Sequence, residues 1–116
     1  MHELAVGRLL VTETLERVGA GGGRRVTAVD VVLGARGDLD EGAVRQHFRL
    51  AARGTLAEGA MMRIAWAPAR LRCFDCLFEF ASHSPAPDAV CPRCGGTALS
   101  FEREVLAYVR SVEVSE

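Results

Sequence analysis

At 116 residues and 49% hydrophobic content, the chain can bury one modest core but not two of independent size. Its formal net charge is −1, and its fourteen basic residues are all arginines, spread from Arg8 to Arg110, which argues against a nucleic-acid partner. No apolar run approaches the roughly 18–20 residues of a membrane span, and the start lacks the basic-then-apolar order of a secretory signal, so a cytoplasmic protein with no membrane partner is expected.

Leu4, Val11, Leu15 and Val18 fall on one side of a 3.6-residue repeat, with Leu9 and Leu10 widening the stripe, which predicts an amphipathic helix ending at the glycine run that begins at Gly19. From Val26 to Leu33 the β-branched run Val-Thr-Ala-Val-Asp-Val-Val-Leu reads as a first strand. Capping carboxylates at Asp38, Asp40 and Glu41 precede Val44, Phe48 and Ala51, and predict a second helix over about residues 40–53 with Gly54 as its C-terminal stop. His47 lies at the edge of that apolar face and is read as a packing residue, without a metal role. Met61 to Ala67 has strand length and stops at Pro68. At the far end, Leu106, Tyr108, Val112 and Val114 share one face of a period-2 pattern, with Val105 and Val109 on the other; this third strand needs a sheet to join and is expected to return to the N-terminal half.

Between the second and third strands lie all four cysteines, as Cys73-Phe-Asp-Cys76, fourteen residues, and Cys91-Pro-Arg-Cys94-Gly95-Gly96. Two residues between paired cysteines let both sulfurs turn to one ion, and two such pairs complete the tetrahedral thiolate shell that Zn(II) prefers. Iron is the main competing ion. A redox pair would leave the other two cysteines unexplained, and structural disulfides belong to exported proteins. Four thiolates leave no open coordination position, so the site should be structural. His83, in the loop between the pairs among Ser82, Ser84, Pro85 and Pro87, reads as an exposed loop residue.

Met1-His2-Glu3 opens the chain directly before the first helix. Histidine is too large at position 2 for methionine removal, so the Met1 α-amine is expected to persist. An α-amine, ionisable backbone amides and an imidazole on adjacent residues form fused chelate rings, a nitrogen-rich set that suits Ni(II) or Cu(II) in square-planar geometry. No Ser/His/Asp or Cys/His arrangement with a third member, and no phosphate-cradling loop, points to catalysis.

Met-His-Glu-Leu-Ala-Val leading a helix, Gly34-Ala-Arg-Gly-Asp-Leu-Asp-Glu41, Phe48, Gly54-Thr-Leu-Ala-Glu-Gly-Ala60, Pro68-Ala69 and the two cysteine pairs together resemble the HypA family of hydrogenase-maturation nickel chaperones. The resemblance implies Ni(II) held by the Met1 amine, by His2 through imidazole and amide, and by the Glu3 amide, with Zn(II) on Cys73, Cys76, Cys91 and Cys94. It also implies a non-enzymatic carrier that works with a nickel-handling GTPase to load the hydrogenase large subunit. The expected fold is α+β: a small three-stranded sheet with two helices, plus an inserted zinc-ribbon-like module. Residues 1–70, completed by a strand over 105–116, would form the nickel-binding domain, and 71–104 the zinc module. The rival reading is a zinc-ribbon module for protein or nucleic-acid interaction, with Met1-His2-Glu3 incidental.

Overall fold

The computed structural model describes residues 2–19, 23–34, 39–82, 90–101 and 107–115. The chain divides into two compact units, the first of Met1–Leu33, Leu39–Ala65 and Ala107–Glu116, the second of Gly34–Asp38 and Trp66–Leu106. In the first unit, helices α1 (His2–Val18) and α2 (Glu41–Ala52) join a three-stranded sheet made of β1 (Val26–Gly34), β2 (Met61–Ala67) and a strand from the far end of the chain. The second unit contains β3 (Ala69–Cys73), β4 (Glu79–Ser82) and β5 (Leu99–Phe101), and the last strand of the first sheet is β6 (Ala107–Val114). The fold is α+β, with the four-cysteine module inserted between two strands of one sheet.

Helix α1 buries a different stripe from the one its larger residues suggest. Leu10 is fully buried while Leu9 is 47% exposed, and the inward positions are Val6, Gly7, Leu10, Val11 and Thr14, with Leu15 and Val18 only packed at the margin. Thr14 can sit in the core because its hydroxyl donates to the Leu10 carbonyl at 2.7 Å, which leaves no polar atom unsatisfied. Gly7 is the point of closest helix contact. A Cβ there would lie 2.7 Å from His47 Cβ and 2.8 Å from the Phe48 backbone nitrogen, so α1 and α2 approach to backbone contact only because position 7 has no side chain.

Helix α2 starts as its sequence predicts. Asp40 is the N-cap, with Oδ1 accepting the Gly42 N–H at 3.0 Å, and Val44, Phe48 and Ala52 point into the core. Strand β1 lies between β2 and β6 and is buried along nearly its whole length. It pairs antiparallel with β6, Val29 facing Val112 and Val31 facing Val109. Asp30 pairs with Ser111 but the next residue, Val31, pairs with Val109, so Arg110 is an extra residue in β6. That bulge changes the inward face: Ala107, Val109 and Val112 pack into the core, whereas Tyr108 is exposed. The period-2 reading that grouped Tyr108 with Val112 fails at this bulge, and Val105 and Leu106 lie outside the described residues.

Both edge strands are met by an arginine from a helix. Arg17 of α1 donates to the carbonyls of Val109 (2.7 Å) and Arg110 (3.0 Å), at the bulge, and Glu13 accepts the Val109 N–H at 3.2 Å. Arg45 of α2 donates to the Met62 carbonyl at 2.5 Å. Across the sheet, Arg63 of β2 grips Asp30 of β1 through two bonds of 2.7 and 2.8 Å and reaches Glu113 of β6 at 2.6 Å, while Ser111 donates to Asp30 at 2.8 Å. The hydrogen bonds from Arg63, then that from Ser111, hold the Asp30 carboxyl well below the usual carboxylate range.

In the second unit β3 is central, antiparallel to β4 on one side and to β5 on the other. No strand of this region is named by its sequence pattern, because strands of five, four and three residues are too short to show a period. Leu71 is the apolar centre of this small sheet and is fully buried.

Gly7→Ala is expected to lower the stability of the first unit by about 1–3 kcal/mol, because overpacking two helix backbones outweighs the ~1 kcal/mol of helix propensity gained, and a urea titration followed by circular dichroism measures the sign. Asp30 has a depressed pKa, so its contribution to stability is full above the unfolded-state value near 3.9 and is lost as pH falls towards the folded-state value. The Tm gap between the parent and Asp30→Asn should therefore be constant above about pH 5 and narrow below about pH 4.

A four-cysteine metal centre and the start of α1

Each cysteine pair sits on a turn closed by its own backbone, and the two turns repeat one pattern. In the first, the Leu77 N–H donates to the Cys73 carbonyl at 2.8 Å and the Cys73 N–H to the Phe78 carbonyl at 3.0 Å. In the second, the Gly95 N–H donates to the Cys91 carbonyl at 2.8 Å and the Cys91 N–H to the Gly96 carbonyl at 2.9 Å. The residue after each second cysteine takes a left-handed conformation, with φ of 77° at Gly95 and 64° at Leu77. Glycine adopts that conformation freely; leucine does so at a cost of roughly 1–2 kcal/mol, and sequence gave no sign that Leu77 would. A further bond, Phe74 N–H to the Ala98 carbonyl at 2.8 Å, ties the first turn to the chain entering β5.

These turns bring the four Sγ atoms of Cys73, Cys76, Cys91 and Cys94 within 4.8 Å of one another. Cys73 and Cys94 are 3.6 Å apart, as are Cys76 and Cys91, so each close contact joins one turn to the other. Sulfurs about 2.3 Å from a tetrahedral ion stand about 3.8 Å apart, and the cluster fits that size. Cys73 and Cys91 are buried, Cys76 is half-buried and Cys94 is exposed. Gly96 permits the close fit: its N–H lies 3.4 Å from the Cys94 sulfur, and a Cβ would meet that sulfur at 3.2 Å and the Asp75 carboxylate at 2.5 Å.

Backbone N–H groups are aimed at the sulfurs, from Phe78 to Cys76, from Cys94 and Arg93 to Cys91, and from Gly96 to Cys94. At Cys91, burial raises the thiol pKa, but the two backbone donors and the neighbouring Cys76 and Cys94 outweigh it and bring it down to about 7. At Cys94 the Gly96 N–H favours the thiolate, yet Cys73, burial and the remaining cysteines push the thiol up to about 12. Cys76 is also raised, burial and Cys91 overcoming the Phe78 donor. Four sulfurs this close cannot all ionise side by side without a cation among them. A divalent thiophilic ion removes the conflict, so the donor set fits a closed, structural metal site. Among the described residues no other group of His, Cys, Asp or Glu converges in this way.

At the other end of the chain, α1 begins at His2. Met1, the side chain of His2, and His83 lie outside the described residues. Glu3 is half-buried, and its Oε2 accepts the N–H of Asp40 at 3.1 Å, linking the first turn of α1 to the cap of α2. The sequence pattern marks Asp40 as a cap; its meeting with Glu3, 37 residues away, follows from helix packing and has no local signal. The first N–H groups of a helix have no carbonyl four residues back, so the His2 and Glu3 amides are not part of the helix ladder.

A family model described as hydrogenase/urease nickel incorporation, metallochaperone, HypA matches residues 1–114. Hydrogenase maturation factor HybF of Salmonella typhimurium is 36% identical over 116 residues, covering 98% of this chain and 99% of its own length. HybF of Escherichia coli strain K12 is 34% identical with the same coverage, and HypA of Geotalea daltonii is 37% identical over 104 residues, covering 87% of each chain. Among solved structures, the solution structure of the Ni metallochaperone HypA from Helicobacter pylori superposes with a TM-score of 0.68 over 97% of this chain and 96% of that one, at 20% identity. The fold is that of the solved HypA structure, and the family model that spans the chain is one of metallochaperones. The chain belongs to the HypA/HybF family of hydrogenase-maturation nickel metallochaperones.

Replacing Cys91 or Cys94 by Ser should abolish order in β3, β4, β5 and the two cysteine turns, because metal binding worth roughly 10–16 kcal/mol far exceeds what so small a sheet gains by burial. Amide resonances of β3, β4 and β5 should collapse to the random-coil region in the variants and in chelator-treated parent protein. Native-like dispersion in the variant would show that the cysteines do not hold this unit together.

Proposed function

We propose that this chain is a carrier of Ni(II), without catalysis, that binds the ion at Met1-His2-Glu3 and delivers it with a partner GTPase to the large subunit of a [NiFe]-hydrogenase. The ligands are the Met1 amine, the imidazole and amide of His2, and the amide of Glu3. Zn(II) is held by Cys73, Cys76, Cys91 and Cys94; it neutralises the thiolates and folds the inserted module, whose tetrahedral thiolate shell leaves no position for a reacting group. The nickel-handling part is residues 1–70 with the strand over 105–116, and the zinc module is residues 71–104. The carrier acts in the cytoplasm, where free thiols stay reduced; no helix among the described residues is long and apolar enough to cross a membrane.

The observation that carries this reading is the match to the family from residue 1 to residue 114, which spans Met-His-Glu and both cysteine pairs. Local geometry supports it. The amides required as ligands lie at the start of α1, where no helical hydrogen bond has to be broken for a metal to replace their protons. The Glu3 carboxylate is engaged with Asp40, in keeping with a main-chain donor at that residue. Relatives named as hydrogenase maturation factors favour hydrogenase as recipient over urease.

Nickel must displace a proton from an α-amine of pKa near 7.7–8.0, compete with one on an imidazole near 6.5, and replace amide protons, so affinity should fall steeply between about pH 7.5 and 6. Calorimetric Ni(II) titration of zinc-loaded parent protein, of His2→Ala and of a version with one glycine added before Met1 tests the site. Both altered forms should lose nickel affinity while keeping zinc content and circular dichroism. Equal nickel binding by all three would place the ion elsewhere.

A further inference from the structure

Beside the buried face of α2 lies a cleft of about 330 Å³, floored by Phe48, Ala52, Ala57 and Met62 and rimmed by Arg45 and Arg49. The floor residues are buried and apolar, and Met61 stands at the mouth with 61% of its surface exposed. Arg45, Arg49 and Arg53 follow at intervals of four residues, which stacks them along one side of the helix and its C-terminal cap. Arg45 is committed, to Glu41 at 3.6 Å and to the Met62 carbonyl. Arg49 and Arg53 are exposed and have no carboxylate partner among the described residues.

From this we infer that the cleft between α2 and the start of β2 is a docking site for an acidic segment of a partner protein, which seats one apolar side chain on Phe48 and Met62 and sets carboxylates on Arg49 and Arg53. The inference goes beyond the metal sites and does not depend on them. Charge complementarity selects the occupant. A chain of net charge −1 has no general pull on anions, so two guanidinium groups without a carboxylate partner among the described residues, Arg49 on the rim of the cleft and Arg53 at the C-cap four residues on, act locally, and planar guanidinium forks suit carboxylates. Volume selects its size: the cleft is at the lower end of small-ligand pockets of ~300–1,000 Å³ and fits a single inserted side chain. Arginine and methionine at its mouth, over a desolvated apolar floor, are the composition of a protein-binding patch, methionine adapting its shape to what is inserted.

The test uses the full, zinc-loaded, ¹⁵N-labelled protein and three capped pentapeptides: Glu-Asp-Leu-Asp-Glu, the same with Ala for Leu, and the uncharged Gln-Asn-Leu-Asn-Gln. The acidic leucine peptide should give saturable amide shifts confined to Phe48, Arg49, Ala52 and residues 57–62, with Kd of about 1 mM or tighter. The alanine and uncharged peptides should each bind several-fold more weakly. Arg49→Gln with Arg53→Gln, whose exposed side chains leave the core untouched, should weaken binding about tenfold, and raising NaCl from about 0.05 to about 0.5 M should do the same to the parent protein. The inference is overturned by no saturable shift with the acidic leucine peptide, by equal binding of the uncharged or alanine peptide, or by indifference to salt. Inorganic phosphate giving the same shifts with the same affinity would also overturn it, since the site would then take small anions.

Discussion

Strand β1 carries hydrogen-bonding groups on both edges and is buried along almost all of its length, so it has to be flanked twice before the rest of the first unit can form. One flank, β2, comes just before the inserted module and the other, β6, just after it. The module is thus held at both ends by strands of one sheet, and its own folding is left to the four cysteines. Everything else in the first unit follows from covering one side of that sheet. Helices α1 and α2 close over Val29, Val31 and Leu33, and they approach closely enough only where Gly7 lets backbone meet backbone.

Strong local signals in the sequence match the structure well. The β-branched run of β1, the Asp40 cap of α2 with Val44 and Phe48 inward, and the break at Pro68 lie where pattern reading puts them, although the third inward residue of α2 is Ala52 and the expected Ala51 is only half-buried. Two cysteine pairs at this spacing converge as expected. What was misread depended on packing. Gly7 and Thr14 carry no hydrophobic signal, yet they help decide which side of α1 is buried. Bulged Arg110 re-phases β6, and no period-2 count can foresee one unpaired residue. The strands around the cysteines are joined by the backbone-closed cysteine turns and pair in the same unit, and at three to five residues each they are too short to announce themselves by a period.

The two turns of the cysteine cluster also show how unequal parts make one site. Pro92 and Gly95 suit the second turn to its conformation, whereas Leu77 occupies the corresponding left-handed position in the first with 69% of its surface exposed. Packing does not hold Leu77 there. The backbone bonds from Leu77 to Cys73 and from Cys73 to Phe78 do, together with the convergence of the sulfurs. Unequal thiol acidities follow from the same arrangement, since buried Cys91 receives two backbone donors and exposed Cys94 faces three neighbouring sulfurs.

Arg17 and Arg45 have an effect that reaches past the bonds they make. A three-stranded sheet ends in two rows of backbone groups able to recruit further strands, and nothing in the hydrophobic pattern of β2 or β6 says that growth must stop. Here each helix lays a guanidinium on a carbonyl of one outer strand, Arg17 on β6 and Arg45 on β2, and α1 adds the Glu13 carboxylate at the Val109 N–H of the same β6 edge, beside the bulge. The same helices that cover the core thus occupy hydrogen-bonding groups on both outer strands of the sheet, and those groups are no longer open to an added strand.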